Sequence, residues 1–439
     1  MLNRFLFKQI DNSALIVFRI IFGLLCFLES VGAIFTGWVK YTLIDPKFTF
    51  NFIGLDILQP LPGNWMYAYY FIMGVFGLLI MVGYKYRLSI IAFTLMWTST
   101  YLMQKASYNN HYYLLCLLSI IMCCLPANKY ASIDVKLKPS IKQISMPSWC
   151  KWIFVIQLFI MYTYAAIAKL YPDWLNLTVP AQLMKGKMDY PIIGSLLQHQ
   201  FFTYLVGYGG ILYDGLIIPL LLYKPTRKFA FWGSIFFHLF NSIVFGVGIF
   251  PYLALAFSLF FFNSETIKNI FLKRKQYYNQ AEIKILNYKP YLVTLATIYF
   301  VIQIVLPIRH HFIEDNVLWT EEGHRLSWRM MLRSKSGYAN FKVVDKDTKK
   351  TTIVNLNNYL SKKQKRMIAT KPDVIWQFAQ HLKQDYKSKG QDIEVYVTAK
   401  TSVNGRPFKT LINPKVDMAN ARWEVFKHNN WILPSQLDK

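Results

Sequence analysis

CKWIFVIQLFIMYTYAAIAKLYPDW, residues 150–174, decides the class of fold. From Cys150 to Ala168 the run is apolar or aromatic apart from Lys151, Gln157 and Thr163, and it then meets Lys169, Pro172 and Asp173. At ~1.5 Å per residue such a run crosses most of a bilayer core, so it reads as a membrane helix ending in a polar boundary. Eight further segments read the same way, at 14–36, 65–83, 87–104, 111–126, 203–223, 228–246, 247–263 and 291–307. Composition agrees: of 439 residues, 54% are hydrophobic and 17% aromatic but only 16% charged, too apolar a balance for an ordinary soluble chain. The expected fold is an α-helical multi-span membrane protein of about nine transmembrane helices, followed by a small C-terminal extra-cytoplasmic α+β domain. The division falls at residue 307, with a transmembrane domain over 1–307 and the second domain over 308–439.

The net charge of +26 does not imply nucleic acid, because Lys and Arg sit in short blocks between apolar runs rather than on one face. Those blocks orient the chain. With the N-terminus inside, the inner segments hold Arg4, Lys8, Lys85, Arg87, Lys129, Lys136, Lys138, Lys142, Lys151, Lys224, Arg227, Lys228, Lys268, Lys273, Arg274, Lys275, Lys284 and Lys289. The outer ones hold only Lys40, Lys47, Lys105, Lys169, Lys185 and Lys187, a bias of roughly three to one in the expected direction. The N-terminal MLNRFLFKQIDNS precedes a long apolar run without a small-residue cleavage site, and reads as a retained first span. All five cysteines lie at or before Cys150, so no disulfide can staple the tail, and Cys123-Cys124 has no second pair at metal-ligand spacing.

Two outer connections, residues 41–65 and 171–200, are long and semi-apolar, and are expected to form interfacial helices that roof a cavity. Beyond Trp319 the period shortens: RLSWRMMLRS, YANFKVVD and TTIVNLN alternate like strands, with a DKDTKK turn between the last two. KPDVIWQFAQHLKQDYKSKG then reads as an amphipathic helix closing on Gly390, and DIEVYVTAKTSVNGRPFKTLI as two strands joined around Asn404-Gly405.

Several polar residues stand where lipid makes them costly. Lys169 either snorkels to the headgroups or is a desolvated amine, which burial makes a usable general base. Asn109, Asn110 and His111 open the fourth segment on the same outer side as Lys169, either as a helix cap and interfacial histidine or as part of a site for a polar-headed, lipid-soluble molecule. His238 and Asn241 share a face of the seventh segment, as a helix-helix contact or a ligand contact. Asp214 is a further intramembrane ionisable group, and its plainest role is counter-charge to a cation on a neighbouring helix. His310, His311 and Glu314 match no zinc spacing, and GVG at 246–248 follows no strand, so neither a metal nor a dinucleotide is expected.

YNNHYYL (108–114), AAIAKLYPDWL (165–175), FFHLFNSIVFGVGIFPY (236–252), NVLWTEEGHRLSWRMML (316–332) and SVNGRPFKTLINPKVDMA (402–419), in this order, resemble the vitamin K-dependent γ-carboxylase family, and its bacterial members more than its animal ones. The resemblance implies a membrane enzyme, a peptidyl-glutamate 4-carboxylase of the carbon-carbon lyase class with vitamin K epoxidase activity. Its cofactor would be reduced vitamin K or a menaquinol-like naphthoquinone, with oxygen and carbon dioxide as co-substrates and no metal. Oxygenation of the quinol supplies the driving force for removing a γ-proton too weakly acidic for any side-chain base, in a site that excludes water.

By the same resemblance, Lys169 falls on the quinol-deprotonating lysine, Asn110 and His111 on the Asn-His pair beside the quinone, and His238, with Asn241 one turn on, on the membrane-embedded histidine. Trp319, His324, Trp328, Arg329, Met330, Met331 and Arg333 fall in the glutamyl-substrate strip. His324 stands where the animal enzymes have Tyr, Arg333 where they have His and Lys335 where they have Arg, which leaves the peptide open. The animal disulfide between body and tail cannot form here. The implied partners are an exported glutamate-containing peptide or protein and membrane lipid, in the bacterial inner membrane, with the N-terminus cytoplasmic and the C-terminal domain periplasmic or extracellular. Two other readings stand beside this one. The first is a quinol epoxidase or oxidase without peptide carboxylation, prompted by the altered strip. The second is a non-enzymatic transporter or lipid-binding protein, which predicts internal repeats that the sequence does not display.

Overall fold

The structure is a computed structural model and describes residues 2–280, 282–285, 287 and 289–437. The nine apolar segments fold as helices α1 Ser13–Phe35, α2 Trp65–Val82, α3 Tyr86–Met103, α4 Asn110–Cys124, α5 Trp149–Ile167, α6 Gly210–Leu222, α7 Arg227–Phe245, α8 Phe250–Phe257 and α9 Lys289–Ile308. Among the described residues, six helices are long and apolar enough to cross a membrane: α1, α2, α5, α6 with its lead-in from Gln200, α7, and α9 continued to Phe312. The expected count of nine is thus not met by length and composition. Helix α3 is long enough but carries Ser89, Thr94, Thr98, Ser99 and Thr100, while α4 has 15 residues and α8 only 8. At ~1.5 Å per residue, neither of the last two alone covers a ~30 Å core.

Glycine sets the tightest crossing in the body. A Cβ on Gly77 of α2 would lie 2.6 Å from the Phe27 backbone nitrogen of α1, and one on Gly23 would lie 2.3 Å from that of Met81. Only residues without side chains let the two backbones approach so closely. Arg19, buried on α1, donates to the carbonyls of Ala127 at 3.3 Å and Ala131 at 2.7 Å, so its charge is solvated by a loop rather than by water.

The helices join two polar ends. At one, strand β1 (Gln9–Asp11) pairs antiparallel with β2 (Ser145–Pro147), and Lys275 reaches Asp11 at 2.5 Å. At the other lies the tail, a four-stranded antiparallel sheet of order β4-β3-β5-β6. Its strands are β3 Lys335–Asp345, β4 Thr351–Ile353, β5 Ile393–Val403 and β6 Lys409–Thr410, covered by α10, Pro372–Ser388. Phe378 of α10 meets Phe341 of β3 edge-on, with ring centroids 4.9 Å apart. The β5–β6 link turns through Asn404 (φ 54°) and Gly405 (φ 81°), the left-handed pair that Asn-Gly favours.

Two expectations fail for physical reasons. RLSWRMMLRS is not a strand: residues 325–334 run irregularly, with Leu326, Trp328 and Met331 at positive φ. Up to Leu332 its backbone is held by the membrane body, and only Ser334 reaches the tail, through Asn404. The Leu326 N–H donates to the Tyr108 hydroxyl (2.6 Å), Asn110 Nδ2 donates to the Arg329 carbonyl (3.0 Å), and the Tyr171 hydroxyl donates to the Leu332 carbonyl. Residues 45–64 contain no helix, since Pro46, Pro60, Pro62, Gly54 and Gly63 break every turn. That segment packs on the tail, where Gln364 Nε2 donates to the Phe48 carbonyl (2.6 Å) and Gln377 Nε2 to Asn51 Oδ1 (2.8 Å). The second outer connection does hold short helices, Pro172–Leu175, Thr178–Lys185 and Gly194–Leu197.

Body and tail are locked by Asp373, which pairs with Lys105 at 2.6 Å and Arg325 at 2.7 Å. Burial works against ionisation of Asp373, but Arg325 and Lys105 outweigh it and hold the carboxyl well below its usual range. Burial pushes Lys105 down to about 8. Removing one partner of such a group strands the others. Asp373→Asn is therefore expected to cost about 3–5 kcal/mol, read as a lowered thermal midpoint in detergent. A depressed carboxylate contributes stability above its unfolded value of ~3.9, and that contribution fades as the pH falls toward the folded one. The variant should accordingly lose part of the acid dependence seen in the parent.

Candidate active site

Lys169 follows the C-terminus of α5, where a lysine on an isolated helix would extend toward water. Here it turns inward: Nζ donates to Asp214 Oδ2 of α6 at 2.5 Å and to the Ala165 carbonyl at 3.0 Å, and lies 5.6 Å from the Trp174 ring centroid. Both side chains are buried. Gly210, whose Cβ position is 4.0 Å from Lys169 Cε, leaves the stem room. Asp214 thus has the counter-charge role its sequence position suggested, and its partner is Lys169 itself.

The pair lies on the wall of a cavity of about 240 Å³. His111, Tyr162, Tyr213, Asn241, Phe250 and Met331 are among its other lining residues. The His111 ring stacks on Phe250 with centroids 4.4 Å apart, so the short helices α4 and α8 begin side by side at this cavity. No hydrogen bond engages the His111 imidazole or Asn241 Oδ1 among the described residues, while Asn241 Nδ2 donates to the Phe237 carbonyl at 2.8 Å. His238 stands behind the wall, with Nε2 2.9 Å from the Tyr213 hydroxyl and 3.3 Å from that of Tyr162. Its Nδ1 is buried without a hydrogen-bond partner.

Asn110 is not on the wall. Asn109 caps α4 by accepting from the Tyr112 N–H at 2.7 Å, and this turns the Asn110 amide the other way. There Oδ1 accepts from the Tyr108 hydroxyl (2.8 Å) and Nδ2 holds the Arg329 carbonyl. Met330 and Met331, the two residues after that anchor, line the cavity. Trp319 and Trp328 do not present faces to solvent: both are buried, Trp319 donating to the Leu433 carbonyl at 2.8 Å and Trp328 packed 4.9 Å from Tyr113. They shape the 319–335 strip from beneath.

The charges of this strip are largely spoken for. Arg333 Nε donates to Glu321 Oε1 at 2.7 Å and its Nη1 lies 2.9 Å from His324 Nε2, while Lys335 joins the same glutamate at 3.2 Å. Burial and then the neighbouring Arg333 keep His324 well below its usual value, hence neutral. Burial also lowers Lys335 to about 8 and Arg329 to about 10. Arg329 contacts His310 Nε2 at 3.2 Å, and its Nε has no hydrogen-bond partner.

Sequence reasoning missed Glu29, whose Oε1 accepts from the Tyr112 hydroxyl at 2.6 Å. Both border a second cavity of about 640 Å³ that shares His111, Phe245, Val247 and Met331 with the first. An acid inside the first apolar run was the available signal. Tyr162 and Tyr213 were equally unannounced, because tyrosines are common throughout these helices.

Among the described residues no group of three His, Cys, Asp or Glu side chains is placed to hold a metal ion. No solved structure matches the chain. The HTTM domain model matches residues 7–265, and the model of the vitamin K-dependent gamma-carboxylase lumenal domain matches residues 288–438. The two matches follow one another along nearly the whole chain, the second beginning just before α9 and running through the tail, and by them the protein belongs to the vitamin K-dependent γ-carboxylase family.

Proposed function

We propose that this membrane protein is a peptidyl-glutamate carboxylase that couples epoxidation of a reduced naphthoquinone to carboxylation of an exported glutamyl peptide. The observation that carries the reading is the Lys169–Asp214 pair on the wall of an apolar cavity that Met330 and Met331 of the strip also line. A flat aromatic diol fits this lining. Aromatic and aliphatic faces surround it, and the unengaged His111 imidazole and Asn241 Oδ1 offer hydrogen bonds at a distance from the lysine. The bound quinol, on reacting with oxygen, supplies a base strong enough for the γ-proton.

The residues of the chain supply the rest. Nearly dry surroundings make an isolated ammonium costly, but a lysine paired with a carboxylate is neutral as a unit, with one proton shared between them. Such a pair would be placed to take a proton from a hydroxyl of the bound cofactor, and would end as ammonium and carboxylic acid. His111 and Asn241 steady the distal oxygen, and His238 orients Tyr213 and Tyr162. Asn110 is a positioning residue that clamps the peptide strip to the cavity. Arg329, with an unspent donor, is the cation for a substrate carboxylate, since Arg333 and Lys335 are engaged by Glu321.

The same proposal includes nine crossings, the N-terminus in the cytoplasm and the tail outside a bacterial inner membrane. In its support, α3 begins beside Asp134 and leads to Gln104, which bonds the Phe50 backbone on the tail side, and α4 returns from Asn110 toward the loop held by Arg19. A quinol oxygenase that leaves peptide unmodified is the second reading, favoured by the engagement of Arg333 and Lys335. Mass spectrometry of a glutamyl peptide incubated with purified protein, reduced vitamin K and labelled bicarbonate separates the two. The carboxylase gains labelled carboxyl mass, whereas epoxide accumulating without any label sinks the first reading.

Lys169→Ala should lower quinone epoxide formation by at least ~100-fold, and Asp214→Asn should lower it as well; an unchanged epoxide yield in Lys169→Ala removes the lysine from the mechanism. Asn110→Ala should instead raise the peptide KM about tenfold, ~1.4 kcal/mol, with a smaller effect on quinol turnover without peptide. A loss confined to quinol turnover would assign Asn110 to the cofactor.

A further inference from the structure

At the end of the molecule away from the tail, a second polar site is built independently of the carboxylase reading. A cavity of about 420 Å³ is lined by Lys8, Lys151, Arg227, Tyr278 and Asp11, with Phe260 to Phe262 along one side. Asp11 is the one acid among these lining residues, and it is already satisfied. Its Oδ1 accepts from the Ser13 N–H at 2.8 Å, and its Oδ2 from Lys275 Nζ at 2.5 Å and the Tyr278 N–H at 3.0 Å.

The cations have no such partner. Among the described residues neither Lys8 nor Lys151 forms an ion pair, and Arg227 lies close enough to Lys151 for the two to repel. Arg227 spends Nε and Nη2 on the carbonyls of Leu221 (2.8 Å) and Leu222 (3.0 Å), which fixes its position without neutralising it. The Tyr278 hydroxyl is buried and has no hydrogen-bond partner. Like charges gathered in a half-enclosed polar cavity, beside an unspent donor, form a site in need of an anion.

Two features narrow the chemistry. Lys151 and Arg227 lie in the first turns of α5 and α7, whose backbone N–H groups add positive potential suited to a phosphate. The phenylalanine wall follows directly on apolar helix α8, where a helix embedded in a bilayer would bring it to the boundary between headgroups and acyl chains. We infer that this cavity binds a phosphate-bearing anion, and that an anionic phospholipid of the leaflet at this end of the helices is the source that fits both walls.

The test is thermal unfolding of the full chain in detergent with added phosphatidylglycerol, phosphatidylcholine or inorganic phosphate. Phosphatidylglycerol should raise the midpoint by about 2–4 °C, phosphatidylcholine by less. The phosphatidylglycerol increment should be lost in Lys8→Gln/Lys151→Gln and reduced in Tyr278→Phe, whatever the starting midpoint of each variant. Inorganic phosphate giving the whole increment would keep the anion site but assign it to a soluble phosphate. An equal response to phosphatidylcholine, or an increment that survives in the double variant, would overturn the proposal.

Discussion

Everything at the candidate site depends on keeping one amine inside an apolar body. A lysine at the end of a membrane helix gains by reaching outward to water, and Asp214 removes that gain by offering a buried carboxylate at 2.5 Å. The choice of partner matters as much as the burial. Burial alone favours the neutral form of an amine, whereas a buried carboxylate beside it favours the charged one. His111 and Phe250, stacked at the starts of α4 and α8, line the cavity that the proposed chemistry would use.

The second constraint is mechanical. Cavity and strip belong to different parts of the sequence, the helices up to Phe250 and residues 319–335, and they are brought together by side chains from the helices and their ends bonding to strip backbone. Tyr108, Asn110 and Tyr171 each hold a different residue of the strip, and Asp373 fixes the tail behind it through Lys105 and Arg325. The reaction proposed above makes a strong base from one substrate and spends it on another, so it requires both to be held close together, and Met330 and Met331 bring the strip onto the cavity lining.

What the sequence made legible follows from how far each signal reaches. Apolar runs, the DKDTKK and Asn404-Gly405 turns and the helix closing at Gly390 are encoded by near neighbours, and all appear where the residues place them. Span number was less legible, because α3 carries its hydroxyls within the spacing of an apolar run and α8 ends sooner than its composition implies. At the site, Lys169 and His111 line one cavity together with Asn241, while Asn110, which the sequence grouped with Lys169 and His111, does not. The Lys169–Asp214 contact was invisible, since residues 45 positions apart carry no local sign of meeting, and the orientation of Asn110 was hidden because it depends on the cap made by its neighbour Asn109.

The strip also explains why alternation misled. RLSWRMMLRS has a strand's period, and as a strand it would send Trp328, Met330 and Leu332 to one face and Arg329, Met331 and Arg333 to the other. The site needs a different sorting: Trp328 and Leu332 buried in the body, Met330 and Met331 together on the cavity, Arg333 on Glu321. No two-fold ribbon puts consecutive methionines on one wall. The backbone reaches that arrangement by left-handed turns at Leu326, Trp328 and Met331, each costing about 1–3 kcal/mol for a non-glycine residue. Hydrogen bonds from Tyr108, Asn110 and Tyr171 hold it there. Strain of this kind persists only where surrounding contacts over-determine it, which is why the clamp residues come from the rigid membrane helices and their ends rather than from the tail.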